Sequence, residues 1–180
     1  WRELQSIVNV DNALKFAPRD ASLWTRRGAL LVKMGERNLA EDAYRRALEI
    51  DPNNTPAWNS LGILFSSESP ERASECFYQC VLLEPAEVKY MNNLGQMLLK
   101  LKKGEEAIDI FNRAVDSAPN DKDLWYSLGK AYSLNGLQVK ALESFDRAYN
   151  LDPKDIRIIR QLAITYRAMG KDREALTLLT

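Results

Sequence analysis

Apolar residues along this chain recur at helical spacing, and the whole pattern returns after about 34 residues. Between 122 and 134, Trp125, Leu128, Gly129 and Tyr132 lie three, one and three residues apart. At 100° per residue they share one arc of a helix, with polar residues filling the rest of the turn. A second apolar stripe follows at Ala141, Phe145 and Ala148. Each period therefore predicts two helices of roughly 14 residues, each about 21 Å long.

Prolines and glycines set the register. Pro18, Pro52, Pro85, Pro119 and Pro153 are separated by 34, 33, 34 and 34 residues, and each ends a similar phrase, as in Leu48-Glu49-Ile50-Asp51-Pro52. With this proline in slot thirty-two of a repeat, complete units run 21–54, 55–87, 88–121 and 122–155. A half unit, 1–20, precedes them and a truncated one, 156–180, follows. Gly28, Gly62, Gly95 and Gly129 all occupy slot eight, while Gly35, Gly104, Gly136 and Gly170 fall at the turn inside a unit. Slot four holds Trp24, Trp58, Met91, Trp125 and Ile159; slot twenty is alanine throughout; slot twenty-four holds Tyr44, Phe77, Phe111, Phe145 and Leu179.

This register resembles the tetratricopeptide-repeat family, whose signature is Trp-x2-Leu-Gly-x2-Tyr, then Ala-x3-Phe, then Pro, over 34 residues. The resemblance covers essentially the whole chain. It implies an all-α fold: a right-handed superhelical solenoid of antiparallel helix pairs, 1–180 forming a single array. Three departures stand out. Arg27 replaces a leucine, Ala163 replaces the last slot-eight glycine, and unit 55–87 is one residue short, which the sequence places at its turn Ser67–Pro70. Asp20, Asn54 or Thr55, Asp121 and Asp155 are placed to cap the first helices, and Pro56 suits a first helical turn.

Composition narrows the chemistry. The 180 residues carry 25 basic and 25 acidic side chains and no His. Neutrality argues against a dedicated nucleic-acid binder, whose affinity comes from neutralised phosphates. Without His, this chain excludes Ser-His and Cys-His catalysis and any His-ligated metal. Every glycine serves the repeat, leaving no phosphate-cradling loop. The expectation is a non-catalytic protein with no cofactor and no metal. Cys76 and Cys80 stand four apart, Cys80 in a core alanine slot; a bridge across one helical turn would be strained. Two reduced thiols point to a cytoplasmic location. No apolar run approaches the roughly 20 residues of a membrane span, and membrane insertion is not expected. The chain opens on Trp1, which suggests a piece of something longer.

Function must lie off the core stripe. With slot four at 0°, slots two, six, nine and thirteen point between about 140° and 200°, and slots five and twelve flank them. In the resembled family this surface of the first helices lines an inner groove for extended peptides. The first full unit contributes Arg26 and Lys33; the second Asn59, Ser60 and Ile63; the third Lys89, Asn92, Asn93, Gln96 and Lys100; the fourth Tyr126, Ser127 and Lys130 with Asp123; the last Arg157, Arg160, Gln161, Ile164 and Arg167. Eight of the side chains on this face are basic and only Asp123 is acidic, a net +7; the remainder of a neutral chain carries −7. A cationic hollow raises the local concentration of an acidic partner. The amides suit a peptide backbone, and Tyr126, Ile63 and Ile164 offer apolar anchors.

The expected function is a protein-interaction scaffold that holds an extended, acidic peptide. The carboxylate clamp some family members use for chaperone tails is absent: its slots hold Thr25, Ala29, Ser60, Lys89 and Asn93, of which only Lys89 fits. A second possibility is self-assembly of a homo-oligomer through terminal helices, with Trp1, Leu4, Ile7 and Val8 meeting Leu176, Leu178 and Leu179.

Overall fold

Helices form where the repeat register puts them. The computed structural model describes residues 2–178, which contain eleven α-helices and no strand among the described residues. They group into two compact units that divide between Pro85 and Ala86. The first holds α1 (Arg2–Phe16), α2 (Ala21–Lys33), α3 (Arg37–Ile50), α4 (Thr55–Phe65) and α5 (Pro70–Leu83). The second holds α6 (Val88–Lys100), α7 (Gly104–Ser117), α8 (Lys122–Leu134), α9 (Gln138–Leu151), α10 (Ile156–Ala168) and α11 (Asp172–Thr177). The helices pair as first and second members of a repeat: α2 with α3, α4 with α5, α6 with α7, α8 with α9, and α10 with α11. Trp1 and Leu179, both invoked for terminal association, lie outside the described residues.

Caps start the first helices. The Asp20 carboxylate accepts from the backbone N–H of Ser22 and Leu23, Asp121 from those of Asp123 and Leu124, and Asp155 from that of Arg157. Asn54, rather than Thr55, caps α4, taking the N–H of Ala57. Each side chain satisfies helix-end donors that have no partner within the helix.

The slot-eight glycines are explained by contact. A Cβ on Gly28, Gly62, Gly95 or Gly129 would meet the ring of Tyr44, Phe77, Phe111 or Phe145, at 2.5–2.6 Å. The ring of the second helix thus lies directly on the backbone of the first, and only hydrogen fits between them. Ala163 departs from this rule in the repeat whose slot twenty-four carries leucine instead of an aromatic ring.

The slot-four tryptophans are more than core filling. The indole Nε1–H of Trp24 donates to the carbonyl of Pro18 at 2.9 Å, Trp58 to Pro52 at 2.9 Å and Trp125 to Pro119 at 2.8 Å. Each bond pins a first helix to the proline turn that precedes it. Met91 and Ile159 have no N–H to offer at this slot.

Two turns differ from their expected form. The residue missing from unit 55–87 is lost from the helix, not the turn: α4 has 11 residues where α2, α6, α8 and α10 have 13, and four residues, 66–69, then lead into α5. The early stop leaves the Leu64 carbonyl to the Arg37 guanidinium, which donates to it and also pairs with Glu68 at 3.1 Å. In unit 88–121 the left-handed turn residue is Lys102, at φ 57°, in the slot where Gly35, Gly136 and Gly170 supply φ of 72–83°. Gly104 is instead the buried first residue of α7, where a Cβ would strike the Asn135 side chain.

Of the described apolar end residues, Leu4, Val8 and Leu176 reach solvent, whereas Ile7 is buried. Leu178 packs on the cluster formed by Phe145, Ile158 and Leu162. Cys76 and Cys80 are buried and not disulfide-bonded, and burial, more than neighbouring charge, pushes the Cys76 thiol up to about 11.

Candidate functional site

The face opposite each first helix's core stripe carries the candidate site, and each unit presents its own. In the first unit, Arg26 and Lys33 of α2 are exposed and make no salt bridge among the described residues. Ile63 of α4 is 58% exposed, an apolar side chain held in water. Asn59 and Ser60 are half-buried. The Ser60 hydroxyl donates to the Pro56 carbonyl at 2.8 Å and also lies in hydrogen-bond contact with the Tyr44 phenol, which burial pushes upward. Arg26 shares a depression of about 540 Å³ with Asp51 and Glu84, so the field here is mixed, not purely cationic.

In the second unit the face is built from α6, α8 and α10. Lys89, Lys100, Lys130, Arg157 and Arg160 are all exposed. Lys89 and Arg157 are among those engaged by acids. Lys89 pairs with Glu87 at 3.3 Å and lies over the Tyr90 ring. Arg157 pairs with Asp123 at 2.7 Å and Asp155 at 2.6 Å. Hydrogen bonds from Arg157 and then Lys122 hold the Asp155 carboxyl far below the usual carboxylate range, and Asp155 in turn holds the Arg157 guanidinium above its ordinary value. Lys130 and Arg160 make no salt bridge among the described residues.

Tyr126 lies at the centre of this face. Its ring is half-buried against Phe145, with Arg157 at 5.5 Å and Lys130 at 5.8 Å from the ring centroid. Ile164 is 52% exposed on α10, one turn beyond Arg160 and Gln161. The amides of α6 are partly committed. Gln96 Nε2 donates to Ser127 Oγ at 2.8 Å and approaches Asn92 Oδ1 at 3.5 Å. Ser127 is only 3% exposed, so it ties α6 to α8 and presents nothing to a ligand. Asn92, Asn93 and Gln161 are half-buried on the same face.

The sequence therefore brings to the surface the cations and isoleucines it singled out. It does not show which cations are spent on internal pairs. The signal for Arg157 was available: Asp123 and Arg157 both occupy slot two of successive repeats, and stacked repeats bring equal slots together.

Helix pairs repeating with this register define a helical-repeat scaffold for protein–protein interaction. Tetratricopeptide-repeat profiles match residues 21–54, 63–122 and 113–156, and the chain belongs to that family. Among curated proteins it is 26% identical to Superkiller protein 3 of Schizosaccharomyces pombe, over 89% of this chain and 15% of that protein. It is 28% identical to the TPR repeat-containing protein MJ1428 of Methanocaldococcus jannaschii, over 93% of this chain and 32% of that protein. The chain thus spans less than a third of either relative. Among solved structures, YrrB, described as a TPR protein with an unusual peptide-binding site, superposes with a TM-score of 0.84 at 23% identity, covering 94% of this chain and 88% of YrrB. No described helix is long and apolar enough to cross a membrane.

Proposed function

We propose that this chain works by binding alone, capturing an extended acidic segment of a partner protein on the first-helix faces of its units. The observation that carries the reading is that exposed cations without salt bridges among the described residues share first-helix faces with exposed isoleucines: Arg26, Lys33 and Ile63 in the first unit, Lys130, Arg160 and Ile164 in the second. Such a surface favours a segment whose carboxylates meet the cations while aliphatic side chains cover the isoleucines. The peptide-binding site named for YrrB supports a peptide as the ligand. The buried thiols Cys76 and Cys80 suit a reducing compartment such as the cytoplasm.

The test uses the whole chain and an acetylated decapeptide of Asp and Glu with two leucines. Charge reversal at Arg26, Lys130 and Arg160 to Glu should weaken its capture at least about tenfold while far-ultraviolet circular dichroism stays unchanged. Equal affinity in the triple variant would remove the proposal. A second reading, self-association, is favoured by the exposed Leu4, Val8 and Leu176; light scattering across a dilution series separates it from peptide capture.

A further inference from the structure

Two clefts among the described residues do not lie on the first-helix faces. Each unit has a cleft of about 600 Å³ on its other side, walled by two consecutive second helices and floored by the first helix between them. In the first unit α3 and α5 form the walls, and Trp58 and Phe65 of α4 form the floor. In the second unit α7 and α9 form the walls around Trp125 and Tyr132 of α8, in about 630 Å³. The two clefts have matching chemistry. A cation, Arg72 or Lys140, lies over the slot-eleven ring, at 3.7 Å from the Phe65 centroid and 5.6 Å from that of Tyr132. One turn further along the same wall helix stands an acid, Glu75 or Glu143.

Their charges are unevenly satisfied. The cations already have acceptors. Arg45 and Arg72 share the Glu41 carboxylate, at 2.9 and 2.6 Å. Lys140 rests on Tyr132, and Arg147 on Trp125 at 5.8 Å. The acids Glu75, Glu143 and Asp146 make no salt bridge among the described residues. Asp146 is half-buried, and burial pushes its carboxyl upward. The residues off the first-helix face also hold the chain's entire negative excess.

We infer that these outer clefts are a second binding site, for an arginine-bearing segment of a partner protein. A guanidinium is planar, stacks on aromatic rings and engages carboxylates through two parallel hydrogen bonds. The Trp58 indole, over which no cation lies among the described residues, offers a stacking surface for these properties. The wall acids Glu75, Glu143 and Asp146, without salt bridges among the described residues, offer the acceptors. Lysine supplies the charge but neither the plane nor the fork. The site rests on the second helices and so stands apart from the acidic-peptide reading above.

The probe is an acetylated, amidated peptide of alternating glycine and arginine with four arginines, titrated into the full chain labelled at its indole nitrogens. Saturable shifts of the Trp58 and Trp125 indole signals are expected, with Kd on the order of 10⁻⁴ M. The variant Glu75→Gln/Glu143→Gln/Asp146→Asn should raise Kd at least about fivefold, and the lysine analogue should bind more weakly than the arginine peptide. The Arg26, Lys130 and Arg160 reversals should not weaken it. The inference is overturned by unshifted indole signals, by an unchanged Kd in the triple cleft variant, or by equal binding of the lysine peptide. Failure of the acidic decapeptide to bind would count against the first-helix reading alone.

Discussion

Single residues set the closest tolerances in this molecule. Where a slot-eight glycine meets a ring there is no room for one carbon, so Gly95→Ala should cost about 2 kcal/mol by overpacking, read from urea unfolding. Adding Phe111→Leu should return part of that loss, because a smaller side chain leaves room for the added carbon, and the sequence of the last repeat combines a slot-eight alanine with a slot-twenty-four leucine. Lys102 is the opposite case, a bulky residue at φ 57°. Lys102→Gly should stabilise by about 1 kcal/mol, seen as a higher urea midpoint. Asp155 connects residue chemistry to pH. Its carboxyl is depressed by Arg157 and Lys122, so its stabilisation is complete above the ordinary carboxylate value of 3.8. That contribution is lost as pH falls through that value toward the lower folded one. Asp155→Asn should therefore be less stable at pH 6 and show a smaller fall in urea midpoint between pH 6 and pH 3.

At the scale of the element, periodicity was the readable signal. Trp125, Leu128, Gly129 and Tyr132 announced a helix because burial of one stripe is a property of sequence spacing alone. Asp121 and Asp155 announced caps for the same reason: the cap bond reaches only two or three residues along the chain. What could not be read depends on contacts between elements. Nothing in Ser67–Pro70 says that α4, and not its turn, gives up the missing residue, or that Arg37 of α3 takes up the Leu64 carbonyl at the helix end. Likewise Ser127 looked like a groove residue until Gln96, 31 positions earlier, was found to donate to it. The outer clefts stayed hidden because their floors are signature residues whose architectural role accounts for them already. The indole bond makes an element-scale prediction. Trp125→Phe keeps the ring and removes the bond to Pro119, so it should cost about 1 kcal/mol and speed amide exchange across residues 119–125.

For the molecule as a whole, formal neutrality conceals a division of labour. The 25 positive and 25 negative side chains cancel in number but not in place. If first-helix faces hold acidic segments and outer clefts hold arginines, both ligands should bind together. Calorimetric titration of the acidic decapeptide should give the same affinity with the arginine peptide present at saturation, provided the free peptides are shown not to pair. Both affinities should drop between 50 and about 300 mM salt, as screening shortens the reach of exposed charges. On these two proposals the array would link two partners of opposite charge, neither of which needs to touch the other.

The ties from indole to turn proline bring one more consequence. Three joints, at Pro18, Pro52 and Pro119, each close on a nitrogen-bound hydrogen that nuclear resonance can follow individually. Loosening of any one of these joints would appear as faster exchange of its own indole hydrogen with solvent, while the turns before Met91 and Ile159 stay silent. The chain thus carries native spectroscopic gauges at three of its proline turns, needing no added dye to record which of these gives way first.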